Sequence, residues 1–300
     1  MAFEEQIARN KRATVLVVAL MFGLLWLIIV AAAYALGLPV PVVAPIAAVL
    51  SLVYVGISSS FSVQSVLAAT GARPANPQVR AEKLLMDRVE EMAIASGLPK
   101  PRVFVQDSKD INAFATGTKP ENAVVCVTQG ALDQLDQEEL QGVLGHELSH
   151  VLNRDILLST ITLGVVGTIA LLAEIALRAL WWGGGRRGGG GRDRGGGNAI
   201  LLVIALIAVV LAPLFSRLVY LAMSRRREYL ADASGVQLTR NPVGLASALR
   251  KIAGDLPDDP KGSKTAAALY IVNPWAHIEL DSVFSTHPPL KERVARLERM

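Results

Sequence analysis

At 300 residues, a chain that is 52% hydrophobic with a mean hydropathy of +0.40 is too apolar for an ordinary soluble protein. The apolar content lies in long runs, which calls for lipid rather than one large core, and the arginines behind the net charge of +4 flank those runs, as membrane flanks do and nucleic-acid patches do not. The single cysteine, Cys126, excludes an intrachain disulfide and a thiolate zinc site, and reads as a small buried hydrophobe on a strand.

Arg9, Lys11 and Arg12 precede the first apolar run, over about 13–36. That run is long enough to span a bilayer and too long for the hydrophobic region of a usual signal peptide, although Ala31-Ala32-Ala33 mimics a cleavage site. An uncharged turn at Leu38-Pro39-Val40-Pro41 leads into a second run over about 42–57. Basic residues stand before this pair and, as Arg73, Arg80 and Lys83, after it, with none between, so both ends of the hairpin 1–60 are expected in the cytoplasm.

The stretch 61–155 is largely polar. Asn76-Pro77 reads as N-cap and first position of a helix with Leu84, Leu85, Val89 and Met92 on its apolar face, stopped at Gly97-Leu98-Pro99. Short β-prone runs at 103–105, 113–116 and 124–127 predict a small sheet. Asp136, with Glu139 three residues on, has the spacing of a capping box, and Leu140, Val143, Leu144, Leu148, Val151 and Leu152 supply the buried face of the helix that follows.

A third apolar run begins at Ile156 and ends near Leu180, with Glu174 and Arg178 spaced to pair and Trp181-Trp182 suited to an interface. The glycine- and arginine-rich stretch 183–197 has no strand before it and no Gly-Lys-Ser/Thr after it, so it reads as a flexible linker rather than a phosphate loop. A fourth run covers about 199–223, completing a second membrane hairpin over 156–223. Four crossings would put the basic linker outside, against the positive-inside rule; the early helices and Arg225, Arg226 and Arg227 still favour that arrangement. In 224–300, Glu228 and Asp232 share a helical face, Asn241-Pro242 caps another helix, 256–264 reads as a loop, His277 as a loop residue, and Ser285-Thr286-His287-Pro288-Pro289 introduces a last helix.

Chemistry enters with His146-Glu147-Leu148-Ser149-His150. On a helix, positions i and i+4 differ by about 40° of rotation, so the two imidazoles point the same way and can share one Zn²⁺. Glu147 falls at the edge of that face, placed to take a proton from water rather than to ligate. In a chain with four histidines a chance match is a poor explanation. The third ligand has to return to the same level. His150 precedes the third run by about as much as Glu228 follows the fourth, so an antiparallel hairpin brings them together at ~1.5 Å per residue. Glu228 is therefore the expected third ligand, completing a His₂Glu site for one Zn²⁺ per chain with one position open, and Asp232, one turn on, can accept the free ring N–H of a ligating histidine.

The assembled motifs resemble a known family. His146-Glu147-Leu148-Ser149-His150, Glu228-Tyr229-Leu230-Ala231-Asp232, Asn112-Ala113-Phe114-Ala115-Thr116-Gly117 and Thr286-His287-Pro288-Pro289 are similar to the HtpX branch of the membrane zinc metalloproteases, which also include the CAAX prenyl proteases. The resemblance implies an α+β, mainly helical gluzincin-type fold with about four transmembrane helices. It implies Zn²⁺ on His146, His150 and Glu228, with Glu147 as catalytic base. It maps an oxyanion-stabilising pair onto His287 and Arg293, and a substrate-binding edge strand onto Asn112, Ala113, Phe114 and Ala115. The expected activity is zinc-dependent endopeptidase action on membrane or misfolded proteins, in quality control and stress response, at the cytoplasmic face of a bacterial inner membrane. The expected partners are the lipid bilayer and protein substrates, with no nucleic acid. Two alternatives stand beside it: a CAAX-type processing protease, and a non-proteolytic membrane chaperone or scaffold, against which the carboxylate of Glu147 argues.

Overall fold

The computed structural model describes residues 2–35, 37–161, 163, 225–254, 269–272 and 288–300. Glu174, Arg178, the linker 183–197, the fourth apolar run, His277 and His287 lie outside the described residues, as does most of the third run.

Two helices, α1 (Ala2–Ala35) and α2 (Val40–Ser60), form the N-terminal hairpin, tied where the Trp26 indole N–H donates to the Ala44 carbonyl at 2.9 Å. α2 is long and apolar enough to cross a membrane, and only 17% of its apolar window is buried, which separates it from a soluble core helix. Leu50, Leu52 and Val53 stand exposed at its middle. α1 carries no charged residue from Ala13 to Ala35.

Helix α3 (Ser62–Thr70) ends at Gly71, whose φ of +67° suits a residue without a Cβ, and turns the chain into the sheet. β1 (Ala72–Pro74) went unread in the sequence because it is three residues long; Pro74 is tolerated because β1 is an edge strand. Next comes α4 (Arg80–Ala95), which starts later than the Asn76-Pro77 signal implied. The Asn76 side chain instead accepts from the Gln78 N–H at 3.0 Å, an Asx turn, while its own N–H donates to Glu82. Strands β2 (Arg102–Gln106), β3 (Ala113–Thr116) and β4 (Val124–Thr128) complete a mixed sheet in the order β1-β2-β4-β3, with β2–β4 parallel and the other two pairings antiparallel. β4 is buried along its length, Cys126 included, and β3 lies at an edge.

After the short α5 (Gln129–Gln134) comes α6 (Gln137–Leu152), carrying the paired histidines. Its start is the expected capping box: Asp136 accepts from the N–H groups of Glu138 and Glu139, and Glu139 accepts from that of Asp136, each at 2.9 Å. Leu144 and Leu148 pack with Val105, Val125 and Val127 of the sheet and with Leu245 and Leu249 of α8 (Pro242–Gly254). α7 (Arg225–Thr239) lies along another side of α6, and α9 (Leu290–Leu297) closes against α7 and α8. Glycines permit these approaches. A Cβ on Gly235 of α7 would stand 2.9 Å from the His146 backbone nitrogen, and one on Gly142 of α6 2.6 Å from that of Leu245.

Candidate active site

Helix periodicity puts His146 and His150 on one face of α6, and the glycine contact at Gly145 and Gly235 brings α7 close enough for Glu228 to face both. The two Nε2 atoms lie 3.2 Å apart, and each lies 3.7 Å from a Glu228 oxygen, His146 from Oε2 and His150 from Oε1. One ligand atom from each of the three residues falls within 4.8 Å of the others. Tetrahedral zinc with bonds of about 2.0–2.1 Å separates its ligand atoms by about 3.3 Å, so small adjustments of Glu228 suffice. Two imidazoles and a carboxylate are a donor set that zinc accepts.

Each histidine turns its other ring nitrogen to a carboxylate. His146 Nδ1 lies 2.9 Å from Asp232 Oδ1, and His150 Nδ1 lies 3.2 Å from Asp155 Oδ2. Asp232 is gripped in turn by Arg293, whose Nε and Nη2 donate to its two oxygens at 3.0 and 2.7 Å. Nη1 of Arg293 donates to the Ile271 carbonyl at 3.0 Å and lies 3.7 Å from Glu228, and the whole side chain is buried. Three of the five guanidinium N–H groups thus hold Asp232 and the Ile271 carbonyl beside the ligand cluster.

Glu147 is buried against β3 and takes a hydrogen bond from the Ala115 N–H. Its Oε1 has no hydrogen-bond partner among the described residues, an arrangement suited to a group that exchanges a proton with substrate. In the metal-free protein burial pushes Glu147 up to about 7, with Glu228 adding to the rise and His150 and Arg293 opposing it. Burial and the Arg293 charge push His146 down to about 4 against the pull of Asp232, which keeps that ring neutral and able to ligate. For His150 burial acts downward too, but Asp155 and Glu228 outweigh it and raise the ring to about 9. Burial acts upward on Asp232, and Arg293 and His146 overcome it, holding the carboxyl at about 2.

A cleft of about 440 Å³ opens on these groups, walled by Ala115, Ile156, Ser159, Arg227 and Tyr270. The segment 269–272, which carried no recognisable sequence signal, forms one wall. The Ile271 N–H donates to the Ala113 carbonyl at 2.9 Å, Asn112 Nδ2 donates to the Val272 carbonyl at 2.8 Å, and Tyr270 meets the Phe114 ring edge-on at 5.2 Å. Of the four residues mapped to substrate binding, Asn112, Ala113 and Phe114 therefore contact the protein's own chain, and Ala115 lines the cleft. Asp155, Tyr270 and Ile271 were not picked out in the sequence. Asp155 lies five residues beyond His150, which on an unbroken helix is ~140° round from it.

Residues 80–300 match peptidase family M48. A protease HtpX homolog of Streptococcus gordonii is 43% identical over 99% of both chains, and those of Lactobacillus acidophilus and Levilactobacillus brevis are 44% and 45% identical with the same coverage. The crystal structure of S. mikatae Ste24p aligns with 98% of this chain and 66% of that one at 16% identity and a TM-score of 0.46, too distant a likeness to carry an argument about the site. The HExxH helix, the carboxylate opposite it and full-length likeness to HtpX homologs agree: this chain belongs to peptidase family M48, as an HtpX-like metalloprotease.

Proposed function

We propose that the protein is a zinc-dependent endopeptidase of the membrane, cleaving membrane or misfolded proteins, with the active site on the cytoplasmic side and the division 1–60, 61–155, 156–223 and 224–300 into membrane and catalytic parts. One observation carries the reading: the three candidate ligand atoms converge beside a buried glutamate that has an oxygen to spare.

Zinc held by His146, His150 and Glu228 would polarise the scissile carbonyl and make water nucleophilic near neutral pH. Glu147 takes the proton from the attacking water at Oε1 and returns it to the departing amine. Asp232 keeps His146 in the tautomer whose Nε2 faces the ligand point, and Arg293 holds Asp232. Extended substrate pairs with the outer edge of β3. The Thr128 N–H bonds the Asn112 carbonyl, so Asn112 faces β4 and the alternate residues Ala113 and Ala115 face outward. Ile271 occupies the Ala113 carbonyl and Glu147 takes the Ala115 N–H, so the Ala115 carbonyl is the edge group that meets substrate. The oxyanion role for His287 and Arg293 is retained from the family pattern.

Purified protein should carry close to one zinc per chain. His146→Ala and Glu228→Ala should lose most of it, whereas Glu147→Gln should keep zinc and substrate binding and lose cleavage. Cleavage by Glu147→Gln at the wild-type rate would sink the peptidase mechanism, and normal zinc in Glu228→Ala would remove that residue from the ligand set.

A further inference from the structure

We infer that Asp155 is a positioning residue for the second histidine: its carboxylate fixes the ring of His150 so that Nε2 faces the metal point, a role that rests on the zinc site proposed above. The geometry has two-fold logic. Asp232 meets His146 at Nδ1, Asp155 meets His150 at Nδ1, and both Nε2 atoms turn toward Glu228. Asp155 is buried, at 5% exposure, and lines the cleft.

The backbone is bent to place it. α6 ends at Leu152 with Asn153 as its C-cap, Arg154 adopts φ +60°, in the left-handed region, and a new helical stretch over 155–161 begins at once. On an unbroken helix residue 155 would point ~140° away from His150; the break at 153–154 swings it back. A left-handed arginine is disfavoured, so the conformation is held by what surrounds it. The same turn delivers Ile156 and Ser159 to the cleft and Thr160 to the end of β3, where its hydroxyl accepts from the Gly117 N–H at 3.0 Å. As a mere first-turn carboxylate, Asp155 would favour the helix dipole from the surface and would not need to be buried against an imidazole.

The test is Zn²⁺ affinity of the full-length protein in detergent, by chelator competition, for wild type, Asp155→Ala and Asp155→Asn. Asp155→Ala should bind zinc about 10–100-fold more weakly. The isosteric Asp155→Asn keeps an acceptor oxygen without the charge and should fall between the two. In ¹⁵N-edited spectra of zinc-loaded wild type, the His150 Nδ1–H should exchange slowly. In Asp155→Ala that proton should be lost to fast exchange while the His146 Nδ1–H persists, a pattern that general destabilisation does not produce. If Asp155→Ala does not fold, Asp155→Asn decides alone. Wild-type zinc affinity in the folded variants, or an unchanged His150 proton in Asp155→Ala, overturns the inference and leaves the zinc site standing. A wild type that binds no zinc overturns both.

Discussion

Arg293 is the largest fully buried side chain among the described residues, and its charge is met by Asp232 at 0% and 3% side-chain exposure. Removing one partner of such a pair leaves a buried charge alone, at a cost of about 3–5 kcal/mol. Arg293→Met should therefore lower the unfolding free energy by about that amount and weaken zinc binding as Asp232 loses its brace; chemical denaturation and chelator competition check the two effects. A surface-pair loss of under ~1 kcal/mol would show that the pair is solvated in the membrane-bound protein. Two carboxylates far from the metal predict the acid limb of stability. The Arg73 hydrogen bonds hold Glu82 below the usual carboxyl value, against burial. On Glu139 burial acts upward, but Lys251, the Asp136 N–H and Ser247 bring the value down. Both values are depressed in the folded state, so their stabilisation is present in full above about 4.5 and is lost as pH falls through the lower folded values. Glu139→Gln should flatten the fall of urea-unfolding stability below that pH, and an unchanged slope would remove Glu139 from the account.

Between elements, the ligand cluster depends on how closely α6 and α7 approach. Gly235 lies in the middle of α7, where glycine costs about 1 kcal/mol relative to alanine, so propensity alone favours Gly235→Ala. The added methyl would meet the backbone of Gly145 and His146 at 2.9–3.0 Å, and backbone cannot rotate away as a side chain can. Overpacking of this kind costs about 1–3 kcal/mol, so the clash wins. Gly235→Ala should be net destabilised and should bind zinc more weakly, because Glu228 and Asp232 ride on the displaced helix. Thermal unfolding with and without zinc measures both, and a stabilised variant with normal zinc affinity would show that the helices part without cost. The Arg154 turn can be tested in the same way. Arg154→Gly suits φ +60° and should keep zinc affinity, whereas the β-branched Arg154→Val should weaken it.

For the whole molecule the open quantity is the number of crossings. α2 exposes Leu50, Leu52 and Val53 to its surroundings, an apolar face that only lipid or a partner would cover, and α1 packs against it by way of Trp26. We propose four crossings, with the linker 183–197 outside. Its four arginines oppose the positive-inside rule, but the early helices dominate orientation. Cys126 is fully buried in β4, so a Cys126→Ala background carrying Gly190→Cys offers one addressable thiol. A membrane-impermeant thiol reagent should label it in intact cells. Labelling only after the inner membrane is permeabilised would replace the two later crossings with re-entrant or shallow segments, and α6 and α7 would still meet.

What the sequence determined by itself were features governed by local spacing. The i, i+4 histidines, the Asp136 capping box, the Asn241 cap of α8 and the shared face of Glu228 and Asp232 all follow from helix geometry within a turn or two. The motifs were also enough to identify the family. The tertiary structure alone decided what depends on distant chain segments or on a break in periodicity. Asn76 began a turn rather than a helix because Glu82 reached back to its N–H. Asp155 reached His150 because a left-handed Arg154 interrupts the helix, a backbone state that a non-glycine residue does not announce. Arg293 became a brace, and 269–272 a wall on the β3 edge, through contacts with residues 22 to 160 positions away, which no local pattern encodes.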